Sequence, residues 1–406
     1  MWRALRPLHA LTKVRRFWGP SVLNKNIIKF AIPVAVGALA LTGCSSDSGG
    51  GGDALKIAFQ GPLSGDNTAL GENEEKGIKL AIEQANAKGD LPFKIEYMAV
   101  DDQGLPEKAT AAAQKAIDDP NVVALIGPAF SGPTNSAAPL LGDAGLAALS
   151  ASATRGDLTE QGFKTFLQGV PNDNAQGAGM ATYYAKKLKP KKVYLIDDKS
   201  DYGVGLAGIA EKDLKAAGVE VIKRSVPAKT PDYSATAKDV VNSKADALIY
   251  AGYYQDAAPF AKKLVEAGYK GAAISGDGTN DMKFIELAGA AANNWYLTCP
   301  CTDAKVEENT KKFTEEYRKK FNVDPGTYSA EAYDLTNMVI AELKKLGDKP
   351  DRQAVYEALK KASYKGLTKE FSFDEKGALK IQDVFLYQVK DGKIAYLGPV
   401  EELAGS

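Results

Sequence analysis

Hydroxyl-bearing residues follow two neighbouring predicted strands at the points where those strands end. Ser131 lies in residues 127–134, between a buried strand and a helix, and Ser152 and Thr154 follow the next strand. Backbone N–H groups at a helix N-terminus favour an anion such as a carboxylate, and nearby hydroxyls add further donors. The same residues can also serve only as helix caps. The sequence alone leaves both interpretations open.

An acid and several tyrosines follow strands in the second half of the chain. Asp277 lies between two glycines, Tyr202 follows an earlier strand, and Tyr253 and Tyr254 are adjacent. Aromatic residues at loop tips are unusual as filler and indicate a binding surface. An Asp between glycines is often only a turn residue, so the spacing does not decide between a turn and a ligand contact.

Histidine is missing from the chain after residue 43. The only histidine is His9, so the rest of the chain has no imidazole for a general base, a catalytic triad or a usual zinc site. Residues 203–208 fit the pattern G-x-G-x-x-G, but six residues separate them from the predicted strand end at Ile196. No acid follows at about 20 residues, as a dinucleotide site requires. We therefore predict no enzyme activity, no cofactor and no metal site.

Two cysteines, Cys299 and Cys301, flank a proline in the sequence TCPCT. Residues i and i+2 of an extended segment share a face, but the intervening proline makes a local disulfide strained. Two small buried residues are the favoured interpretation, and a disulfide is the alternative. The spacing matches no metal motif.

The first 43 residues predict a secretory signal. They contain seven basic residues and no acid, and the apolar run at 30–41 is shorter than the roughly 20 residues that span a membrane. Residues 41–44, with the sequence LTGC, resemble the lipobox of bacterial lipoproteins. This resemblance implies a lipid on Cys44 that anchors the chain to the outer face of the cytoplasmic membrane, and an ordinary signal peptide is the alternative. Residues 44–53 predict a flexible tether.

Removal of this signal changes the charge balance. The remaining chain has 44 basic residues, seven fewer than the 51 of the full chain, against 51 acidic residues. The resulting excess of negative charge argues against nucleic acid as a partner, since phosphate binding requires a basic face.

Short β-branched or aromatic runs alternate with helical patterns in two series, at 55–149 and 174–275. This alternation predicts parallel sheets with helices on both faces. A largely helical stretch at 305–361 and a final pair of strands follow, with a hairpin turn at 391–392. About 350 residues are more than a single hydrophobic core usually contains. We therefore expect two lobes and a cleft at the carboxyl ends of their strands.

Six short motifs, in this order, resemble the leucine/isoleucine/valine-binding family of ABC-transporter solute receptors. They are GPLSG at 61–65, NAKG at 86–89, DD at 101–102, IG with Ser131 at 126–131, SDYGVG at 200–205 and FDEKG at 373–377. The resemblance implies the type I periplasmic-binding fold: two Rossmann-like α/β lobes with parallel sheets, three crossings between them and hinge-type closure. Lobe one would comprise 54–170 plus 302–380, and lobe two 171–301 plus 381–403. We expect a monomer.

The resemblance also implies which residues hold a ligand. The matching positions are Ser131, Ser152, Thr154, Tyr202, Tyr254 and Asp277. Ser131 and the amide of Thr154 would hold a carboxylate. The Ser152 carbonyl, the Thr154 hydroxyl and Asp277 would hold an ammonium, and the two tyrosines would close over the ligand.

Four positions depart from the family pattern. Asp277 replaces a Glu, Leu70 replaces a Tyr of the side-chain pocket, and Phe130 and Gly104 replace two cysteines that some members join. The implied function is capture of an amino acid, branched-chain or similar, and its delivery to the subunits of an ABC permease. Because the side-chain pocket is altered, the alternative is a receptor that senses an amide, urea or another small polar solute.

Overall fold

The computed structural model describes residues 54–347 and 349–405. The predicted signal, Cys44 and the tether lie outside these residues. Within the described ranges, no helix combines the length and the apolar character that crossing a membrane requires.

Five parallel strands form the first sheet, in the order β2-β1-β3-β4-β5. The strands are β1 (Leu55–Gly61), β2 (Ile95–Asp101), β3 (Val122–Ile126), β4 (Ala147–Ser150) and β5 (Phe166–Gln168). The helices between them are α1 (Thr68–Lys88), α2 (Pro106–Asp118) and α3 (Ser131–Asp143). Every residue of β3 is buried, as expected for a strand that helices cover on both faces.

Seven strands form the second sheet, in the order β14-β13-β10-β9-β8-β6-β7. Its parallel strands are β6 (Lys192–Asp197), β7 (Glu220–Ser225), β8 (Ala247–Ala251), β9 (Ala272–Ser275) and β10 (Tyr296–Cys299). A separate ribbon contains β11 (Tyr364–Lys365) and β12 (Glu370–Phe371), and the antiparallel edge of the second sheet contains β13 (Phe385–Lys390) and β14 (Lys393–Pro399).

Helices cover the second sheet and extend the first lobe. Those of the second sheet are α4 (Asp173–Tyr183), α5 (Asp201–Ala216), α6 (Ser234–Asn242), α7 (Tyr254–Glu266), α8 (Met282–Ala288) and α12 (Val400–Gly405). A second group, α9 (Lys311–Phe321), α10 (Ser329–Leu346) and α11 (Arg352–Lys361), packs against α1, β3 and β4 of the first sheet. We call the elements around the first sheet the first lobe and those around the second sheet the second lobe.

Close packing of α1 on α10 orients the face of α1 that meets the cleft. At Gly77 an added Cβ would collide with the backbone carbonyl of Ser329, so only glycine permits this approach. Leu70, Glu74 and Ile78 lie on the same buried face of α1, four residues apart. The helix therefore presents an apolar residue and an acid toward the interior.

The predicted hairpin turn at Asp391 and Gly392 is confirmed. It joins β13 to β14, and both turn residues have positive φ, 49° and 71°, as a type I′ turn requires. The fifth strand of the first sheet, Phe166–Gln168, was not predicted. This strand has only three residues, and Gly169 and Pro171 follow it. Glycine and proline so close together are typical of a loop.

The expectation that Cys299 and Cys301 are unpaired was wrong. The structure joins them by a disulfide, with their Cα atoms 5.0 Å apart and both residues buried. The chain is extended where β10 ends, so the two side chains share a face despite the proline, and the Cα separation lies in the usual range.

The chain passes between the lobes at three places, after β5, after β10 and after β12. The segment after β10 contains the disulfide and is held from both sides. The Tyr387 hydroxyl in the second lobe donates to the Cys301 carbonyl over 2.8 Å, and the Thr302 N–H donates to Glu331 of α10, also over 2.8 Å. The lobe boundaries at 170, 301 and 380 remain a prediction.

Candidate functional site

Side chains from both lobes line one small cavity at the carboxyl ends of the strands, and its free volume of about 10 Å³ is the space of about one water molecule. The lining residues are Leu70, Phe130, Ser131, Ser152, Tyr202, Tyr253, Asp277 and Tyr328. Six of these were predicted from the sequence, and the structure brings them together. The cavity is where the two lobes meet, so its wall is complete only when both lobes contribute.

The first lobe supplies hydroxyls and a helix N-terminus. Ser131 is the first residue of α3, and its Oγ accepts a hydrogen bond from the Arg155 N–H over 3.2 Å. Thr154 is buried behind it, and its hydroxyl has no hydrogen-bond partner among the described residues. Leaving a buried hydroxyl without a hydrogen bond costs free energy. A polar group of a ligand near Thr154 would therefore be favoured.

The second lobe supplies Asp277, which follows β9 and is only 4% exposed. Its Oδ1 accepts a hydrogen bond from the Tyr202 hydroxyl over 2.8 Å. Burial raises the pKa of Asp277, and the nearby Tyr202 and Tyr328 hydroxyls and the Gln176 amide offset part of that rise. A ligand cation at this position would favour the ionised form.

A second buried acid, Asp173, lies at the start of α4 near Asp277. Burial, and then repulsion from Asp277, raise the pKa of Asp173 well above its ordinary value. The Thr154 hydroxyl lies beside the Asp173 carboxyl and offsets part of this rise in pKa. The two neighbouring buried carboxyls of Asp277 and Asp173 favour a positively charged group on a ligand, because a cation stabilises their ionised forms.

Aromatic rings from the two lobes close one side of the cavity. The rings of Phe130 and Tyr253 are stacked with centroids 4.5 Å apart, and Tyr202 lies 5.1 Å from Tyr253. Phe130 packs on Gly104, where an added Cβ would lie only 2.8 Å from the ring and where φ is +68°. The residues that replace the two family cysteines thus fit each other, and they bring an aromatic ring to the cavity.

Two residues that the resemblance implies, Thr154 and Tyr254, lie outside the lining, whereas Tyr253 and Tyr328 line it and were not among the implied ligand contacts. Thr154 is behind the wall, and the Tyr254 hydroxyl accepts a hydrogen bond from the Ala69 N–H over 3.2 Å, away from the cavity. Its neighbour Tyr253 takes the cavity position because α7 begins one residue later, at Tyr254. Tyr328, which has φ of +64° before α10, gives no clear sequence signal.

A family model described as "Periplasmic binding protein" matches residues 54–393. The chain belongs to this family of periplasmic binding proteins. The type I periplasmic-binding fold with two lobes is thereby confirmed, as is the prediction that the chain is not an enzyme, because the family consists of solute-binding proteins.

Relatives of this binding protein are named for amino acids. It is 28% identical to the leucine-, isoleucine-, valine-, threonine- and alanine-binding protein of Pseudomonas aeruginosa, over 86% of this chain and 94% of that protein. A leucine-binding protein structure from Thermotoga maritima has a TM-score of 0.79 and 26% identity, over 85% of this chain and 98% of that one. The branched-chain amino acid transporter substrate-binding protein LivJ of Streptococcus pneumoniae, in complex with isoleucine, has a TM-score of 0.78 and 29% identity, over 85% and 100%.

The lobes of this binding protein contact each other around the rim of the cavity. The Asn73 amide of α1 donates to Asp281 over 2.9 Å, and Lys229 pairs with Asp66 at 2.8 Å. The first contact is partly buried, whereas the second is solvent-exposed and contributes little to stability. These contacts hold the two halves of the cavity wall together.

Proposed function

We propose that this protein captures an amino acid in the inter-lobe cavity and delivers it to the permease of an ABC importer. The observation that carries the proposal is the polarity of the cavity. Its second-lobe side carries the buried acid Asp277, with the buried acid Asp173 nearby, and its first-lobe side carries Ser131 at a helix N-terminus. A zwitterion matches both sides, since each buried charge then meets an opposite charge or a donor.

The anionic end of the ligand would lie against the first lobe. Ser131 opens α3, whose first backbone N–H groups have no partner within the helix. The Thr154 hydroxyl lies behind this wall, beside the Asp173 carboxyl, and supports the site from there. Ser152 lines the same wall. A ligand carboxylate would reach these donors after the lobes move apart, because the cavity as it stands has space for about one water molecule.

The ammonium would face Asp277. Tyr202 holds the Asp277 carboxylate in one orientation through a 2.8 Å hydrogen bond. Asp is shorter than the Glu that is general in the resembling family, so the ammonium has to lie closer to the second lobe. This proposal gives Tyr253, rather than Tyr254, the role of covering the ligand, because of these two only Tyr253 lines the cavity.

The side chain of the ligand would meet Leu70 and the rings of Phe130 and Tyr253. These walls are apolar, and apolar contact favours aliphatic side chains by about 0.8 kcal/mol per buried CH₂. The relatives with branched-chain names support the same class. We therefore propose a small aliphatic amino acid, branched-chain or similar, as ligand.

A panel titration tests the proposed function. Calorimetry of the purified protein with the common L-amino acids, acetamide and urea is expected to show tight binding of one or more aliphatic amino acids. A folded protein that binds none of the amino acids contradicts the proposal. Binding of acetamide or urea instead would favour the alternative receptor for a small polar solute.

Phe130 sets the size of the ligand side chain, and its replacement is a second test. In Phe130→Ala the lost ring leaves space beside Gly104, which a larger ligand side chain can fill. We expect the affinity for phenylalanine relative to valine to rise about tenfold, as a few additional buried CH₂ groups would give. Competition binding with both ligands measures this ratio.

The matched control for that test is Phe321→Ala, on α9 and away from the cavity, where a partly buried ring is also removed. The control is expected to keep the wild-type ratio of affinities. An unchanged ratio in Phe130→Ala would show that the ring does not limit the ligand.

We also propose that a lipid on Cys44 anchors the protein to the outer face of the cytoplasmic membrane. The support is the LTGC sequence at 41–44 after a basic and apolar leader. Membership in a family of periplasmic binding proteins agrees with export.

A further inference from the structure

A buried acid lies directly behind the cavity wall. Glu74 of α1 is fully buried, and its Oε1 lies 2.6 Å from the Ser152 Oγ. The same Ser152 Oγ lies 2.6 Å from the carbonyl oxygen of Ala129. Both distances are those of good O–H···O hydrogen bonds. The three groups therefore form a chain that ends at a residue of the ligand cavity.

A count of protons shows how this chain has to be arranged. A serine hydroxyl carries one proton, and a backbone carbonyl can only accept a hydrogen bond. The Ser152 proton must therefore point to the Ala129 carbonyl if that contact is a hydrogen bond. The contact between Glu74 and Ser152 then needs a proton from the Glu74 carboxyl. An ionised Glu74 would leave two acceptors competing for one proton.

The other oxygen of the carboxyl supports the same arrangement. Glu74 Oε2 is buried and has no hydrogen-bond partner in the described part of the chain. A bare carboxylate oxygen in a dry interior is far more costly than the carbonyl oxygen of a neutral acid. No ion pair with a lysine or arginine compensates for a charge on Glu74 in the described ranges.

We infer that Glu74 is a positioning residue that holds a proton and, as a donor, fixes Ser152 in the wall of the ligand cavity. The inference rests on the proposed function, because Ser152 acts there only if the cavity binds a ligand. Loss of the proton frees Ser152 to turn from Ala129 toward Glu74. Ala129 and Ser152 lie in the two strand-end loops that carry Ser131 and Thr154, so the carboxylate end of the site loosens.

The surroundings of Glu74 place this proton in the physiological range. Burial raises the pKa of Glu74 to about 8, while the hydrogen bond with Ser152 lowers it in part. The charged groups that face it from other elements are Glu331 of α10 and Asp102 after β2, and both raise its pKa further. Lys369 is bonded to Glu331 rather than to Glu74. Glu74 is thus mostly neutral at pH 7 and mostly ionised at pH 9.

Titration with L-leucine at pH 7, 8 and 9 tests the inference on the full protein. Wild-type affinity is expected to fall about tenfold between pH 7 and pH 9, as the protonated fraction does. Glu74→Gln is the matched variant, because its amide donates to Ser152 but does not ionise. Its affinity for L-leucine at pH 7 is expected to lie within about threefold of the wild-type affinity. The tenfold decrease in affinity between pH 7 and pH 9 is expected to be absent from this variant. Any pH dependence left in the variant belongs to the ligand ammonium and to the other buried acids of the site, Asp277 and Asp173, whose pKa values are also raised.

The infrared spectrum of the ligand-free protein gives a second readout that does not depend on binding. The difference spectrum, wild type minus Glu74→Gln, is expected to show a protonated carboxyl band at pH 6.5 that vanishes by pH 10, because other buried acids such as Asp173 contribute equally to both proteins. Absence of this band, or identical pH profiles of binding for the two proteins, overturns the inference. If the band is present but L-leucine binds to neither protein, the proton on Glu74 is supported and leucine as ligand is contradicted.

Discussion

Replacement of Asp277 with asparagine is expected to lower the affinity for the amino acid by at least about thirtyfold. The change keeps the size of the side chain but removes the charge that faces the ligand ammonium. Truncating one partner of a buried, hydrogen-bonded charge pair costs about 2–5 kcal/mol, and the ammonium would be left unpaired in a closed cavity. Calorimetric titration of the wild type and of Asp277→Asn measures this loss.

The stability of the Asp277 variant separates a binding role from a folding role. In the ligand-free protein Asp277 repels the neighbouring Asp173 carboxyl, and this repulsion contributes to the raised pKa of Asp173. Removing the Asp277 charge relieves it, so Asp277→Asn should unfold at the same urea concentration as the wild type or a higher one. Asp334→Asn, a buried acid that anchors residues 367 and 368 far from the cavity, is the control and should keep full affinity. Wild-type affinity in Asp277→Asn would remove this residue from the site.

Replacement of Lys369 with methionine is expected to lower the free energy of unfolding by about 3–5 kcal/mol, the usual cost of breaking a buried ion pair from one side. Lys369 Nζ lies 3.3 Å from Glu331 Oε1, and the two side chains are 7% and 0% exposed. The ammonium also donates to the Pro300 carbonyl over 3.1 Å. The variant leaves Glu331 charged and without its partner in the interior. Urea unfolding followed by circular dichroism measures the loss.

The double variant Lys369→Met with Glu331→Gln distinguishes a charge effect from lost packing. The side-chain amide introduced by Glu331→Gln keeps an oxygen that can accept from the Thr302 N–H, but it carries no charge, so much of the lost stability should return. Lys376→Met, which breaks the exposed pair with Glu160, is the surface control and should change little. A double variant that is as unstable as the sum of its single variants would show that charge pairing is not what stabilises this crossing.

The alternation of strands and helices was predictable because each element carries its own signal. Val122–Ile126 is a continuous apolar run with a turn on either side, and α2 begins at Pro106, a residue suited to the first turn of a helix. Phe166–Gln168 has no such signal, since its three residues gain their place in the sheet only from pairing with β4 and from a bridge between Gln168 and Ala378.

The candidate site was only partly predictable. The exact first residue of a helix is not visible in the sequence, and some lining residues depend on contacts between distant segments. Tyr253 and Tyr254 cannot be told apart until the first residue of α7 is known. Tyr328 reaches the cavity through the packing of α10 on α1, which is a tertiary contact between distant segments. Glu74 reads as one charge in an exposed run, ENEEK, yet its spacing of four from both Leu70 and Ile78 places it on the buried face of α1. That spacing was the available signal.

The disulfide between Cys299 and Cys301 has a practical consequence for measuring closure. The chain contains three cysteines, and with these two joined the described residues offer no free thiol. One cysteine introduced on the rim, for example in place of Lys229 opposite Asp66, would then be the one free thiol among the described residues and would accept a fluorescent dye there. Its emission would respond as the rim contacts form and break. The protein can therefore be converted into an optical sensor that reports its ligand without added reagents.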